Sequence, residues 1–97
     1  MKKIKVFIHL LRTEEGGRNN PIKSGYRPNF FFSGTRQSDG KVEFAIDELS
    51  PGHSISAEVE LTCPELIKKV DDGEKFIIRE GTTVVGNGYV TERDFLK

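Results

Sequence analysis

The sequence predicts an all-β protein, and three features of its 97 residues indicate that fold class. Apolar and polar residues alternate in several segments, which is the period of a strand with one face in water. Turn-forming glycines and prolines separate these segments at short intervals. Only one short segment has helical spacing. Many short strands with almost no helix are typical of an antiparallel sandwich or a closed barrel, and closure also removes exposed strand edges.

Three segments alternate as half-buried strands do. In residues 4–10 every even position is apolar, while Lys5 and His9 point the other way. The alternation returns in residues 42–46, where Ile46 is predicted to face the core, and in residues 55–61. Each of these segments is therefore predicted to be a strand with one wet face.

Three shorter apolar runs complete a set of six predicted strands. Residues 30–32, 76–78 and 84–90 are rich in aromatic and β-branched side chains, which favour strand over helix at that length. Glycines 86 and 88 inside the last run indicate a bulge or a barrel corner. Turns are predicted between the strands, because glycine supplies positive φ and proline fixes it negative, at Ser38-Asp39-Gly40, Ser50-Pro51-Gly52, Asp71-Asp72-Gly73 and Gly81.

A short helix is an open alternative to a loop at residues 64–70. Proline suits a first helical turn, and Leu66, Ile67 and Val70 follow at three- and four-residue spacing.

Composition narrows the classes of function. The 15 Lys and Arg residues balance 15 Asp and Glu residues, so no overall field attracts nucleic acid or an anionic membrane. The single Cys63 excludes an internal disulfide and fits a reducing cytosol, which leads us to expect a cytoplasmic location. No apolar stretch approaches the roughly 20 residues that span a bilayer, so no membrane partner is expected.

Catalytic chemistry is not predicted. His9 and His53 are expected to be solvated histidines, and Cys63 a small buried hydrophobe, because no neighbour in sequence would lower its pKa. Asp71 and Asp72 lack the spacing of a calcium loop and favour a turn instead of a metal site. We therefore expect no enzyme activity, cofactor, metal or small-molecule substrate.

Five motifs occur in a fixed order along the chain: Glu14-Glu15-Gly16-Gly17-Arg18, Gly25-Tyr26-Arg27-Pro28, Ser50-Pro51-Gly52, Asp71-Asp72-Gly73 and Ile78-Arg79-Glu80-Gly81. With them the chain closely resembles the third, C-terminal domain of bacterial elongation factor Tu, the GTPase that carries aminoacyl-tRNA to the ribosome. The corresponding family segments read approximately EEGGRHTPF, GYRPQFYF, MPGD and DDG-RFAIREGGRTVGAG. The resemblance runs from about residue 4 to residue 90.

The resemblance implies a closed six-stranded antiparallel barrel of Greek-key type, with residues 1–97 as a single domain. It also implies that the family's GTP-binding domain and middle barrel are not in this sequence, which contains no GxxxxGK[ST] motif. The chain is not expected to hydrolyse GTP by itself.

The resemblance further implies two candidate surfaces. In the family this barrel touches the T-stem of tRNA, and position by position the contacts fall on Arg27, Asn29, Asp39 and Glu80. A carboxylate or amide can accept a hydrogen bond from a ribose 2′-hydroxyl. The family's GGR loop lies towards the GTPase domain, and this carries over to Glu15, Gly16, Gly17 and Arg18. The expected function is a non-catalytic module that docks on a protein such as a translation GTPase, with weak tRNA binding as the alternative.

A purely structural interpretation stays open for several of these residues. Gly16, Gly17 and Gly25 can serve the backbone alone, Arg79 and Glu80 can form a cross-strand or local ion pair, and the three phenylalanines can simply fill the core. Arg18 and Arg27 favour contact roles, since loop arginines are not needed to close a barrel.

Overall fold

The strands of this chain form a closed barrel, and their alternating apolar residues face its interior. The computed structural model describes residues 3–34 and 36–93. In chain order the strands are β1 Ile4–Leu10, β2 Ile22–Lys23, β3 Asn29–Phe31, β4 Gln37–Glu43, β5 Glu48–Leu49, β6 Ser54–Leu61, β7 Lys75–Glu80 and β8 Thr83–Glu92. Around the barrel the strands follow the order β1-β6-β4-β3-β7-β8, all antiparallel, and the remaining two strands form a separate ribbon, β2-β5. The predicted closed six-stranded barrel is confirmed.

The apolar phase of each strand fills the barrel interior. The even positions of β1 are at most 1% exposed. Phe30 packs edge-to-face on Phe76 with ring centroids 5.3 Å apart, and Phe32 packs on the same ring at 5.6 Å. Burial of one such side chain stabilises the fold by about 1.5–3 kcal/mol. The core is therefore continuous across the barrel.

Gly40 lies within β4, so the predicted turn at Ser38-Asp39-Gly40 is wrong. A Cβ at Gly40 would lie 2.7 Å from a methyl carbon of Val59 and 2.9 Å from the Phe30 ring. Glycine is present there because the core ring needs the space, and the position does not require positive φ.

The predicted bulge is confirmed next to Gly86, whereas Gly88 pairs in regular register with both neighbouring strands. The register of β7 and β8 shifts between Ile78, which pairs with Gly86, and Arg79, which pairs with Val84. One extra residue on β8 bends that strand, as a β-bulge does at a barrel corner.

Two predicted core positions are exposed instead. Strand β4 ends at Glu43, and the chain turns before β5, so Ile46 lies outside the barrel with 47% of its surface exposed. Strand β6 ends at Leu61, two residues before Cys63, and a helix starts directly after Cys63, so the alternation no longer applies to it. Its side chain is exposed, and the prediction of a buried thiol is wrong.

The segment after Cys63 forms a 3-10 helix, Pro64–Lys69. It buries Leu66 and Ile67 against the core, and Val70 follows at 0% exposure. A short helix was one of the two open predictions here, and the structure has one, in the tighter 3-10 geometry. In the described part of the chain no helix is long and apolar enough to cross a membrane.

Candidate functional site

The loop between β1 and β2 carries the predicted protein-interface residues. We call residues 12–21 the Arg18 loop. A short 3-10 helix, Thr13–Glu15, opens it, and the Glu15 carboxylate accepts a hydrogen bond of 2.7 Å from the backbone N–H of Arg12. Glu15 therefore caps this helix as well as lying on the surface.

Two glycines fix the path of the Arg18 loop. Gly16 has a φ of +90°, the left-handed conformation that ends the 3-10 helix. A Cβ at Gly17 would lie 2.7 Å from the carbonyl oxygen of Leu11, so only glycine fits against the end of β1. The backbone conformation therefore accounts for both glycines, as the purely structural interpretation of the sequence proposes.

Arg18 anchors the loop to the barrel. Its guanidinium forms an ion pair with the Glu80 carboxylate at the end of β7. Its Nε donates to the carbonyl of Asn20 at 3.1 Å, and its second terminal nitrogen lies 3.5 Å from the carbonyl of Pro21. The same guanidinium lies 5.3 Å from the centroid of the Tyr26 ring, within the range of a cation–π contact. The Arg18 side chain is only 25% exposed.

Tyr26 completes a three-residue group with Arg18 and Glu80, which we call the Glu80 cluster. The Tyr26 hydroxyl donates to the same Glu80 oxygen that accepts from Arg18. Burial, followed by this hydrogen bond to a carboxylate, raises the pKa of the Tyr26 phenol well above its ordinary value. The phenol is therefore a fixed donor at neutral pH. The Val42 N–H donates to the Tyr26 carbonyl at 2.8 Å, and the Gly25 N–H donates to the Val42 carbonyl at 2.7 Å, so this segment is held against β4.

The predicted RNA-contacting residues divide between two places. Asn29 and Asp39 face each other across β3 and β4, so the structure brings these two together. Arg27 is exposed just before them. Glu80 lies instead in the Glu80 cluster, where it holds Arg18, a residue assigned from the sequence to the other surface.

Arg79 does not form the expected ion pair with Glu80. It pairs in register with Asn29, and its guanidinium stacks over the Phe31 ring at 4.4 Å from the centroid. Its Nε is buried and has no hydrogen-bond partner among the described residues. The local ion-pair interpretation of these two residues is wrong, because Glu80 is bound to Arg18.

Side chains able to do chemistry are few and scattered. His9 Nδ1 lies 2.8 Å from the Ser54 hydroxyl on the exposed face of β1 and β6, and no carboxylate of residues 3–34 or 36–93 hydrogen-bonds to this ring. His53 is exposed, as predicted. Across the described ranges no group of three or more His, Cys, Asp or Glu side chains is placed to hold a metal ion.

Sequence reasoning missed a set of apolar residues on the outside of the barrel. Phe7, Phe31, Ile77 and Tyr89 all point away from the core and remain partly or largely exposed. Their outward direction could have been predicted from the sequence, because each alternates with core residues of its strand and so points to the opposite face. Phe7, for example, lies between the buried Val6 and Ile8 and shares its face with Lys5 and His9.

A family model agrees with the fold and with the motif order. The model for the elongation factor Tu C-terminal domain matches residues 1–93 of this chain. The domain that this model describes is a non-catalytic β-barrel of a translation factor. The closed six-stranded antiparallel barrel is consistent with that fold. The chain therefore belongs to the elongation factor Tu C-terminal domain family.

Proposed function

We propose that residues 1–97 act as one non-catalytic binding domain, which docks through the Arg18 loop on a protein partner such as a translation GTPase in the cytoplasm. The observation that carries this proposal is the anchoring of an exposed loop by the Glu80 cluster. Arg18 and Tyr26 both bind one carboxylate, while Glu14 and Gly16 stay exposed. A loop already held in one conformation loses less conformational entropy when a partner binds.

The residues of this surface have different roles in the proposal. Arg18 and Glu80 are positioning residues, since their charged groups are engaged with each other. The exposed backbone around Gly16 and the carboxylate of Glu14 form the contact surface itself. The motif is retained because the loop must hold its conformation, and Arg18 acts through that conformation.

Affinity capture tests the docking proposal. A tagged protein is recovered from native extract that has been divided and treated with or without RNase. Protein partners that persist after RNase support docking, and loss of every partner contradicts it. A recovered translation GTPase is then purified and titrated by calorimetry with the wild-type protein and three variants.

The variants separate contact from positioning. Glu14→Lys should weaken binding by about tenfold or more, as loss of a good interface contact does. Glu65→Lys is the matched control, because Glu65 is also an exposed glutamate next to a 3-10 helix start but lies elsewhere. Arg18→Ala should weaken binding through disorder of the loop. Equal affinities for Glu14→Lys and Glu65→Lys would show that Glu14 does not contact the partner and would contradict the proposed contact surface.

Binding of tRNA is the second candidate function. The supporting observation is that the exposed Arg27 lies two residues before Asn29, whose register neighbours are Asp39 and Arg79. Arg27 and Arg79 are the two cations, and Asn29 and Asp39 can each accept a hydrogen bond from a 2′-hydroxyl. The zero net charge of the chain supplies little further attraction for phosphates. Protein docking is the better supported function for that reason.

A fluorescence titration at low salt tests the RNA candidate with deacylated and aminoacyl-tRNA. Under this candidate Arg27→Ala weakens binding by about tenfold, while Lys23→Ala, an exposed cation on β2, leaves it nearly unchanged. Failure to saturate at high micromolar protein, or equal effects of the two variants, would contradict it.

A further inference from the structure

Apolar side chains cover the outer face of four neighbouring strands, β3, β7, β8 and β1. Phe31 pairs with Ile77 across β3 and β7, and Phe7 pairs with Tyr89 across β1 and β8. We call these four residues the aromatic groove. Between them lies an open depression of about 710 Å³. Ile77 is 38% exposed and Tyr89 44% exposed. Most other outward positions of the barrel strands carry polar side chains, and Val84 on β8 is an exception. A contiguous apolar patch of this kind marks an interaction surface.

The rings of the aromatic groove are arranged to pack against further apolar groups. The Phe7 and Tyr89 rings lie 5.7 Å apart and are tilted by 34°. Ile77 lies in register between Phe31 on one side and Asn87 on the other. The groove therefore consists of two apolar pairs in neighbouring register rows, Phe31 with Ile77 and Tyr89 with Phe7. It is separate from the Arg18 loop in sequence and in composition.

Positive charge borders the aromatic groove. Lys75 lines the depression and pairs in register with Tyr89. The guanidinium of Arg79 stacks on Phe31 and has no ion pair with any described carboxylate. No Asp or Glu of the described residues lines the depression. The charge that would complement this surface is negative.

We propose that the aromatic groove binds a segment of a second protein in which apolar side chains are flanked by carboxylates. The apolar side chains cover Ile77 and Tyr89, and the carboxylates pair with Lys75 and the outer nitrogens of Arg79. Binding interfaces combine desolvated apolar anchors at the centre with a polar rim. This surface goes beyond the proposed docking through the Arg18 loop and does not depend on it.

The charges favour this occupant over two others. A two-fold contact with a second copy would place the same surfaces together, so Lys75 and Arg79 would meet like charges. Nucleic acid affinity depends on neutralising many phosphates, and among residues 3–34 and 36–93 only two permanent cations border this apolar groove.

NMR titration of the labelled full chain tests the proposal with three probes. The first is a short peptide in which aspartate alternates with leucine and phenylalanine. The second has lysine in place of aspartate, and the third is an oligouridylate RNA. We expect the acidic peptide to shift the amide signals of Ile77, Asn87 and Tyr89, and the other two probes to leave them unchanged.

Variants assign the binding to the aromatic groove. Ile77→Ser combined with Tyr89→Ser, and separately Lys75→Glu, should each weaken acidic-peptide binding by about tenfold or more. The matched controls are Ile46→Ser, an equally exposed aliphatic residue outside the groove, and Lys23→Glu. Both controls should bind as the wild type does. Lys75→Glu changes only an exposed side chain, so the charge test holds even where the double variant is unstable.

Three results would overturn the proposal. These are equal binding of the lysine peptide, oligouridylate binding that depends on the same residues, and no amide shifts in the groove. Arg18→Ala should leave acidic-peptide binding unchanged. Failure of docking through the Arg18 loop and failure of the aromatic groove are therefore distinguishable.

Discussion

Arg18 and Glu80 are separated by 62 residues in sequence, yet their side chains form an ion pair that ties the loop after β1 to the end of β7. The same carboxylate accepts a hydrogen bond from Tyr26, just before the strand that carries Asn29. The Glu80 carboxylate thus binds one residue from each of the two segments that the family motifs identify. Its effect on stability and on loop conformation can be measured.

A double-mutant cycle should show that Arg18 and Glu80 are coupled. Solvent screens a pair that is 25% and 37% exposed, so we expect a coupling of about 0.5–1 kcal/mol in the free energy of unfolding. The measurement is urea unfolding of Arg18→Ala, Glu80→Gln, their combination and the wild type. Glu65→Gln, combined with Arg18→Ala, is the control and should be additive. Additive effects at Glu80 would show that the ion pair does not stabilise the fold.

The raised pKa of Tyr26 predicts a loss of stability at alkaline pH. The unfolded chain loses the phenol proton near the ordinary value of about 10, whereas the folded protein keeps it to higher pH. The stabilisation is complete below pH of about 10 and is lost as the pH rises through the folded pKa. Tyr26→Phe should flatten this alkaline decline in the free energy of unfolding.

Spectrophotometric titration checks the Tyr26 prediction directly. The sequence contains two tyrosines, so Tyr89→Phe leaves Tyr26 as the single phenol. Its absorbance change should occur above the ordinary range, and adding Glu80→Gln should move it downward because a carboxylate acceptor is lost. A titration near the ordinary value in the Tyr89→Phe protein would contradict the prediction.

Alternation in the sequence predicts the barrel strands because period two places one face in the core wherever the sheet is closed. Two other predictions from the sequence are wrong. Gly40 resembles a turn residue but makes room for the Phe30 ring inside β4. Cys63 continues the spacing of β6 by chance after the strand has ended. Contacts with residues distant in sequence decide the error at Gly40, and the end of β6 at Leu61 decides the error at Cys63.

The candidate site was predictable only in part for the same reason. The family motifs identify Arg18 and Glu80 as noteworthy, but assign them to different surfaces. Their contact depends on how the closed barrel brings the end of β7 against the Arg18 loop. The spacing of residues within either motif does not indicate that Arg18 and Glu80 are in contact. The outward position of Phe7 is encoded by period two, although its contact with Tyr89 depends on strand order.

Gly88→Ala should strongly destabilise the barrel. A Cβ there would lie 2.2 Å from the carbonyl oxygen of Phe7 and 2.8 Å from the Phe76 ring, so β1 or β8 would have to move. Overpacking of this kind costs about 1–3 kcal/mol or more. Thermal unfolding provides the measurement. Asn87→Ala, at the exposed neighbouring position, should change stability by less than about 0.5 kcal/mol. Equal melting temperatures for the two variants would show that the strands can separate without cost.

Glu74→Gln should loosen the 3-10 helix at residues 64–69 more than the barrel. The Glu74 side chain is only 12% exposed and accepts hydrogen bonds from Arg36, from the Ser33 hydroxyl at 3.1 Å and from the Asp71 N–H at 3.2 Å. Arg36 in turn donates to the carbonyl of Lys69, so loss of the Glu74 charge frees the guanidinium that holds the helix end. Bonds to a charged group contribute about 1.5–3 kcal/mol each.

Amide hydrogen exchange distinguishes local loosening from global unfolding in the Glu74→Gln protein. The Leu66 N–H, which donates to the Cys63 carbonyl, should exchange faster by about tenfold or more, because the helix opens without the barrel. The amides of β1 should change only as far as global stability falls. Asp47→Asn removes an exposed charge elsewhere and should alter neither set. Equal acceleration at Leu66 and in β1 would mean that Glu74 stabilises the whole barrel and has no separate effect on the helix.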